Sequence, residues 1–149
     1  MRHSIRRWLF ALSLAASFAC VAQTGPQKLE SIRLGAGIHN IQAEVARTPQ
    51  QREIGLMFRE TMGSNEGMLF AFDAPATQCF WMKNTFVPLS AAFIADDGTI
   101  VNIADMAPRA LDAHCSAKPV RFVLEMNQGW FAKRGIKPGF KLKGAPFTP

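Results

Sequence analysis

Histidine is scarce: the 149-residue chain has three, at positions 3, 39 and 114. There is no glycine-rich phosphate loop, no nucleophile elbow and no CxxC pair, so the sequence patterns of several enzyme classes are missing. His39 and His114 are too few and too far apart in sequence to announce a metal cage. A lone histidine on a strand, as His39 is expected to be, is more often an ordinary structural residue than a ligand. Asp96, Asp97 and Asp105 flank or follow one hairpin, but a calcium loop needs more oxygen ligands at fixed spacing. The remaining carboxylates fall mainly in turns and helix ends, where solvated charge explains them. Neither a metal nor a cofactor is expected.

Long apolar runs are also rare. The one at the N-terminus, Trp8 to Ala19, follows Arg2, Arg6 and Arg7 and leads into small residues up to Ala22. It is about a dozen residues, short of the roughly 20 that span a bilayer. This is the pattern of a secretory signal over residues 1–22, leaving a single domain over 23–149 in the periplasm or outside the cell. Retention of Cys20 as a lipid-anchored first residue is the alternative, with Ser17 and Phe18 as poor flanks for it. No other segment could span a membrane. The formal charge of +6 comes from 17 Lys+Arg against 11 Asp+Glu. Without the three leader arginines the excess is three, which gives no warrant for nucleic-acid binding. Cys79 and Cys115 remain, and in an oxidising compartment two cysteines most simply form a disulfide. The competing reading is a thiol nucleophile or metal pair, helped by His114 beside Cys115.

The rest of the chain reads as short strands and turns. Leu29–Leu34 and Ile38–Val45 flank Gly35-Ala36-Gly37 as a first hairpin. Thr48, Pro49 and Gln51 open a helix with an N-cap, a proline at the first position and a capping box. Ile54, Met57 and Phe58 extend it to about residue 58, with Gly55 as a weak point in its middle. MLFAFDAP is a buried strand. CFWMKNTFVPL is a second extended segment, interrupted at Pro88. Ala91–Ala95 and Ile100–Ile103 flank Asp97-Gly98 as the clearest hairpin. VRFVLEMN alternates, with Val120, Phe122, Leu124 and Met126 on one face and Arg121, Val123 and Glu125 on the other. Asn127 is placed to cap a helical turn through Trp130 to Arg134, ended by Gly135. Phe140–Leu142 is a last short strand. The expected class is mainly β, a compact antiparallel sandwich or barrel with two short helices.

Three segments set bulky apolar groups beside polar ones: GLMFRE, CFWMKNT and LEMNQGW. As a regular strand, the second would turn Trp81, Lys83 and Thr85 to one side and Met82, Asn84 and Phe86 to the other. The ordered series GLMFR, EGMLFAF, FWMKNT, PLSAAFIADDGTIV and VLEMNQGWFAKRGIKPGFKL resembles the family called domain of unknown function 192, over roughly Ile41 to Leu142. The resemblance implies a small, mainly β domain, often exported in bacteria, with no established reaction or ligand. The family's usual aspartate after the Pro-Leu pair is Ser90 here, which puts in doubt any role for that carboxylate.

Two accounts of these segments stand side by side. In one they are architectural: methionines fill an irregular core, Trp81 and Trp130 anchor it, Asn84 and Asn127 satisfy backbone groups, and Glu125 pairs with Arg121, Arg59 or Lys83. In the other they form a ligand-facing cleft. Trp81 and Trp130 would be its apolar platforms, and Lys83, Asn84, Glu125 and Asn127 its polar contacts. The second account describes a non-catalytic binding or accessory module of the cell envelope, whose partner is a small molecule, a carbohydrate or an envelope protein. A hydrolase or lyase using Glu125 as acid/base and Lys83 as electrostatic stabiliser is the alternative. So is a structural partner of another envelope protein, which would carry an exposed apolar patch.

Overall fold

The computed structural model describes residues 25–147. The proposed leader and its cleavage site, with Cys20, lie outside these residues. Eight strands and one α-helix follow in chain order: β1 Ser31–Ala36, β2 His39–Ala46, α1 Pro49–Ile54, β3 Glu66–Ala76, β4 Cys79–Phe80, β5 Leu89–Ile94, β6 Ile100–Met106, β7 His114–Cys115 and β8 Val120–Asn127. A 3-10 turn, Ala132–Arg134, comes last. The protein is mainly β, as its patterning implies.

Six strands form one sheet in the order β1-β2-β3-β8-β5-β6, and β4 pairs with β7 in a second sheet of two. All pairs are antiparallel except β2 with β3, which is parallel. The connection from β2 to β3 carries α1, and a crossover of that length is what a parallel pair requires. The sheet does not close. The expected last strand is reduced to isolated bridges, Thr99 with Lys141 and Gly35 with Lys143. Gly35 belongs to edge strand β1 and Thr99 immediately precedes edge strand β6. Because Lys141 and Lys143 are two residues apart, the edges converge at that end and the sheet curls towards a barrel.

Both faces are covered. The concave side holds Leu34, Ile41, Leu69, Ile94, Leu124 and Trp130, among others. The other side holds Met68, Phe70, Met82, Leu89, Phe93 and Val123, roofed by loops rather than by a full second sheet. Strand β8 lies between β3 and β5. It is therefore buried on both faces, although its sequence alternates as a half-exposed strand would.

Three local expectations are corrected. The capping box of α1 is present: Gln51 N–H donates to Thr48 Oγ1 at 3.2 Å, and Thr48 N–H donates to Gln51 Oε1 at 3.0 Å. The helix nevertheless stops at Ile54, because Gly55 is its C-terminal cap with φ +49° rather than a weak point inside it. Of the CFWMKNTFVPL segment only Cys79–Phe80 and its last residue, Leu89, where β5 begins, are strand. Thr85 N–H donates to the Met82 carbonyl at 3.0 Å, and Asn84 takes φ +54°, so the chain turns there. Met82 and Thr85 point inward while Trp81, Lys83, Asn84 and Phe86 are exposed. That pattern replaces the expected alternation. Finally, Asn127 caps no helix. Its side-chain amide donates to the Gly63 carbonyl at 2.9 Å, and the 3-10 turn begins after Phe131 without a side-chain cap.

Gly67 of β3 sits opposite Met126 of β8. A Cβ there would overlap the Glu125 carbonyl oxygen and the Met126 sulfur. Backbone cannot move aside as a side chain can, so Gly67→Ala should cost about 2–3 kcal/mol. A lowered urea midpoint with an unchanged slope, their product giving that loss, checks it, and a midpoint equal to wild type contradicts it.

Candidate functional site

Glu125 occupies a position where the sheet otherwise places hydrophobes. Its register partners are Met68 on β3 and Ala91 on β5, and both belong to the loop-roofed core. Glu125 is 4% exposed. Its carboxyl makes no hydrogen bond or ion pair among the described residues. The cations that might have paired with it are engaged elsewhere. Arg59 bonds Glu44 at 2.7 Å and Arg121 lies 3.8 Å from Asp96. Lys83 stacks over Trp81, 5.4 Å from the ring centroid. Burial without compensation pushes the Glu125 pKa up to about 8. The side chain is therefore a neutral acid at pH 7, able to donate one hydrogen bond and accept others.

A cavity of about 40 Å³ adjoins this carboxyl, with Met57, Phe70, Phe80, Trp81 and Thr85 among its other walls. Two loops build it. Gly55, at φ +49° and ψ −130°, swings the chain off α1, and a Cβ on it would press to 3.1 Å from the Phe70 ring. Phe58, three residues on, has φ +66°, and the facing loop carries Asn84 with φ +54°. The Phe58 N–H donates to the Asn84 carbonyl at 2.8 Å, so the two loops are joined through these two residues. Asparagine tolerates the left-handed region. Phenylalanine rarely adopts it, at a cost of order 1 kcal/mol or more, and such residues concentrate around ligand sites.

The structure brings part of the expected constellation together. Trp81 is at the cavity rim, 49% exposed, with Lys83 above its ring. Glu125 lies at the floor. Asn84 is exposed and contributes its backbone carbonyl to the loop junction. Asn127 follows Glu125 on the same face of β8 and ties down the Met62–Gly63 backbone. Trp130 goes elsewhere: it packs in the concave core, its indole N–H donating to Asn65 Oδ1 at 3.1 Å. Arg134 covers its ring at 4.2 Å. The two tryptophans are therefore on opposite faces of the sheet.

Sequence reasoning missed Thr85 and Arg52 as cavity residues. Thr85 ends the CFWMKNT motif, but the alternation expected of a strand hid its inward turn. Arg52 lines the cavity from α1 yet donates to the carbonyl oxygens of Ala71 and Arg47 and stacks on Phe72 at 4.8 Å. It leaves Glu125 uncompensated.

Two larger cavities lie elsewhere among the described residues. One, of about 650 Å³, contains the Glu44–Arg59 pair. Both of those groups are satisfied, Glu44 by Leu29 N–H at 2.7 Å and Arg59 by the Gln27 carbonyl at 2.9 Å. The other, of about 350 Å³, lies beside Ser90 and Asp105. The Ser90 hydroxyl donates to Asp105 and accepts the Gly129 N–H, so it too is satisfied. Size favours these cavities, but the unpartnered buried acid favours the small one as the site of chemistry. The Cys79–Cys115 disulfide links β4 to β7 at the base of the Trp81 loop.

The sequence profile of domain of unknown function 192, described as an uncharacterized ACR, matches residues 31–144. Among solved structures, a protein of Sinorhizobium meliloti 1021 described provisionally as a transcription regulator is 40% identical, with a TM-score of 0.73. The match covers 83% of this chain and 98% of that one. A protein of unknown function from Novosphingobium aromaticivorans DSM 12444 is 37% identical, with a TM-score of 0.74, over 78% of this chain and 86% of that one. No curated protein matches the chain.

Proposed function

This chain belongs to the family of domain of unknown function 192, and from its site we propose that it is an exported, non-catalytic binding module of the cell envelope. The observation that carries the reading is the uncompensated Glu125 carboxyl at the floor of a small cavity whose rim is the half-exposed Trp81. A cavity of about 40 Å³ accepts one small group of a ligand, not a whole ligand. A hydroxyl-rich ligand lying on Trp81 could lower one hydroxyl to the neutral Glu125, with Lys83 at the rim to meet an anionic substituent. Carbohydrates and cell-envelope fragments have this chemistry. Support for export comes from the N-terminal leader pattern and the Cys79–Cys115 bridge, which suits an oxidising compartment. No helix among the described residues is long and apolar enough to cross a membrane.

The test is a screen of soluble cell-wall saccharides by ligand-observed NMR and thermal shift. Trp81→Ala should remain folded, because the indole is at the rim, and should bind at least about tenfold more weakly, the loss of a stacking anchor. Full-strength binding by that variant would sink the reading. The hydrolase or lyase alternative is separated by Glu125→Gln. A glutamine still donates a hydrogen bond, so a binding module retains its ligand, whereas an enzyme with Glu125 as general acid loses turnover of any bound saccharide.

A further inference from the structure

Four large apolar side chains are exposed among the described residues: Ile38 at 92%, Leu111 at 67%, Trp81 at 49% and Phe86 at 43%. Three of them share one surface. The loops 81–87 and 107–112 are laced together, Met82 N–H donating to the Ala110 carbonyl at 2.9 Å and Arg109 N–H to the Thr85 carbonyl at 3.0 Å. Met82, Thr85 and Val87 point inward, which leaves Trp81, Lys83 and Phe86 outside, and Leu111 follows Ala110 on the adjoining loop. Each ring carries a cation: Lys83 Nζ is 5.4 Å from the Trp81 centroid and the Arg109 guanidinium 6.0 Å from that of Phe86. Asp112, also exposed, is the carboxylate next to Leu111 in this loop.

We propose that this two-loop tip docks on an anionic phospholipid surface, with Trp81, Phe86 and Leu111 entering the headgroup–acyl boundary and Lys83 and Arg109 facing lipid phosphates. The proposal rests on the envelope location argued above and names a partner for the outer side of the same site. Its warrant is the arrangement of the groups. A protein interface gathers its apolar residues into a continuous centre with a polar rim. Here the apolar side chains stand on loop tips, and each of the two aromatic ones is accompanied by a cation. That pairing matches the membrane interface, where indole rings lie at headgroup level, long cationic side chains reach the phosphates, and aliphatic tips enter the acyl boundary. Each cation near an anionic leaflet is worth roughly fivefold in affinity. The disulfide between Cys79 and Cys115 holds the two loops at their base.

The test is co-sedimentation of the protein, as isolated from the cell, with vesicles of phosphatidylglycerol and phosphatidylcholine in equal parts, and with phosphatidylcholine alone. Wild type should bind the mixed vesicles and bind the neutral ones at least tenfold more weakly. Phe86→Asp combined with Leu111→Asp, and separately Lys83→Glu, should each lower binding to mixed vesicles at least about tenfold. All proteins compared carry the same N-terminus. Absence of wild-type binding, equal binding to both vesicles, or full binding by the Phe86/Leu111 variant overturns the proposal. Phe86 and Leu111 lie outside the Glu125 cavity, so the two ideas fail separately. Saccharide binding with no vesicle binding removes only the membrane proposal. Vesicle binding with no saccharide binding removes only the saccharide reading.

Discussion

Replacing Glu125 with glutamine should raise stability at pH 8 by about 4 kcal/mol and change it by no more than about 1 kcal/mol at pH 5. The sign follows from the direction of the shift. In the unfolded chain Glu125 ionises near its model value of 4.5, and in the folded protein near 8. The folded state therefore holds a proton that the unfolded state releases between those values. Stability is fully present below about pH 4.5, falls as pH rises towards 8, and levels off above it. Each unit of that interval costs about 1.4 kcal/mol. A neutral glutamine of the same shape removes the dependence. Urea titrations of both proteins from pH 5 to 9 measure it directly. Parallel stability curves across that range would mean that Glu125 is compensated in solution, and the binding argument would lose its basis.

Loss of the Cys79–Cys115 bridge should lower stability by about 3–4 kcal/mol. The two cysteines are 36 residues apart in sequence, and closing a loop of that size removes entropy from the unfolded chain. The strands it joins, β4 and β7, have two residues each and could not supply comparable stabilisation by pairing alone. They also anchor the chain entering the Trp81 loop, so the effect should reach function. The double Cys→Ser variant should remain folded at 25 °C, show faster amide exchange across 81–87 and 107–112, and bind ligand more weakly. An unchanged urea midpoint would show that the unfolded chain is already restrained without the bridge.

What the sequence made readable, and what it hid, divides along a physical line. Patterns set by local chemistry were readable: the Thr48-Pro49-Gln51 helix start, the Asp97-Gly98 hairpin, the cysteine pair and the mainly β class. Family motifs were readable because five of them occur in order. The exact partners of β8 were not. Its alternation describes two different faces but not that both are buried, which depends on β3 and β5 lying to either side. The WMKNT turn was hidden for a related reason. Its apolar content resembles a strand, but the Thr85-to-Met82 bond within it and the bonds to neighbouring loops, Met82 to Ala110, Arg109 to Thr85 and Phe58 to Asn84, hold it as a turn. Of the residues singled out by motif chemistry, Trp81 and Glu125 line one cavity, and Lys83 stands over the Trp81 ring. Trp130 did not join them because the chain leaving β8 crosses to the concave side after Asn127.

The same geometry explains why a buried acid persists at Glu125. Among the described residues no cation neutralises it, and the two loops that supply Met57 and Thr85 to its cavity are joined by a hydrogen bond between two residues of positive φ, Phe58 and Asn84. A sheet selected for stability alone would place a hydrophobe beside Met68 and Ala91. Strain and an uncompensated polar group on adjoining elements are the costs that binding sites carry and cores avoid.

Burial holds the Glu125 carboxyl protonated at physiological pH beside its cavity. A carbon-detected NMR titration of the Glu125 side-chain carboxyl, assigned with Glu125→Gln, tests it most directly. An inflection near pH 8 is the expected result. An inflection near 4.5, the value of an ordinary exposed glutamate, would contradict it.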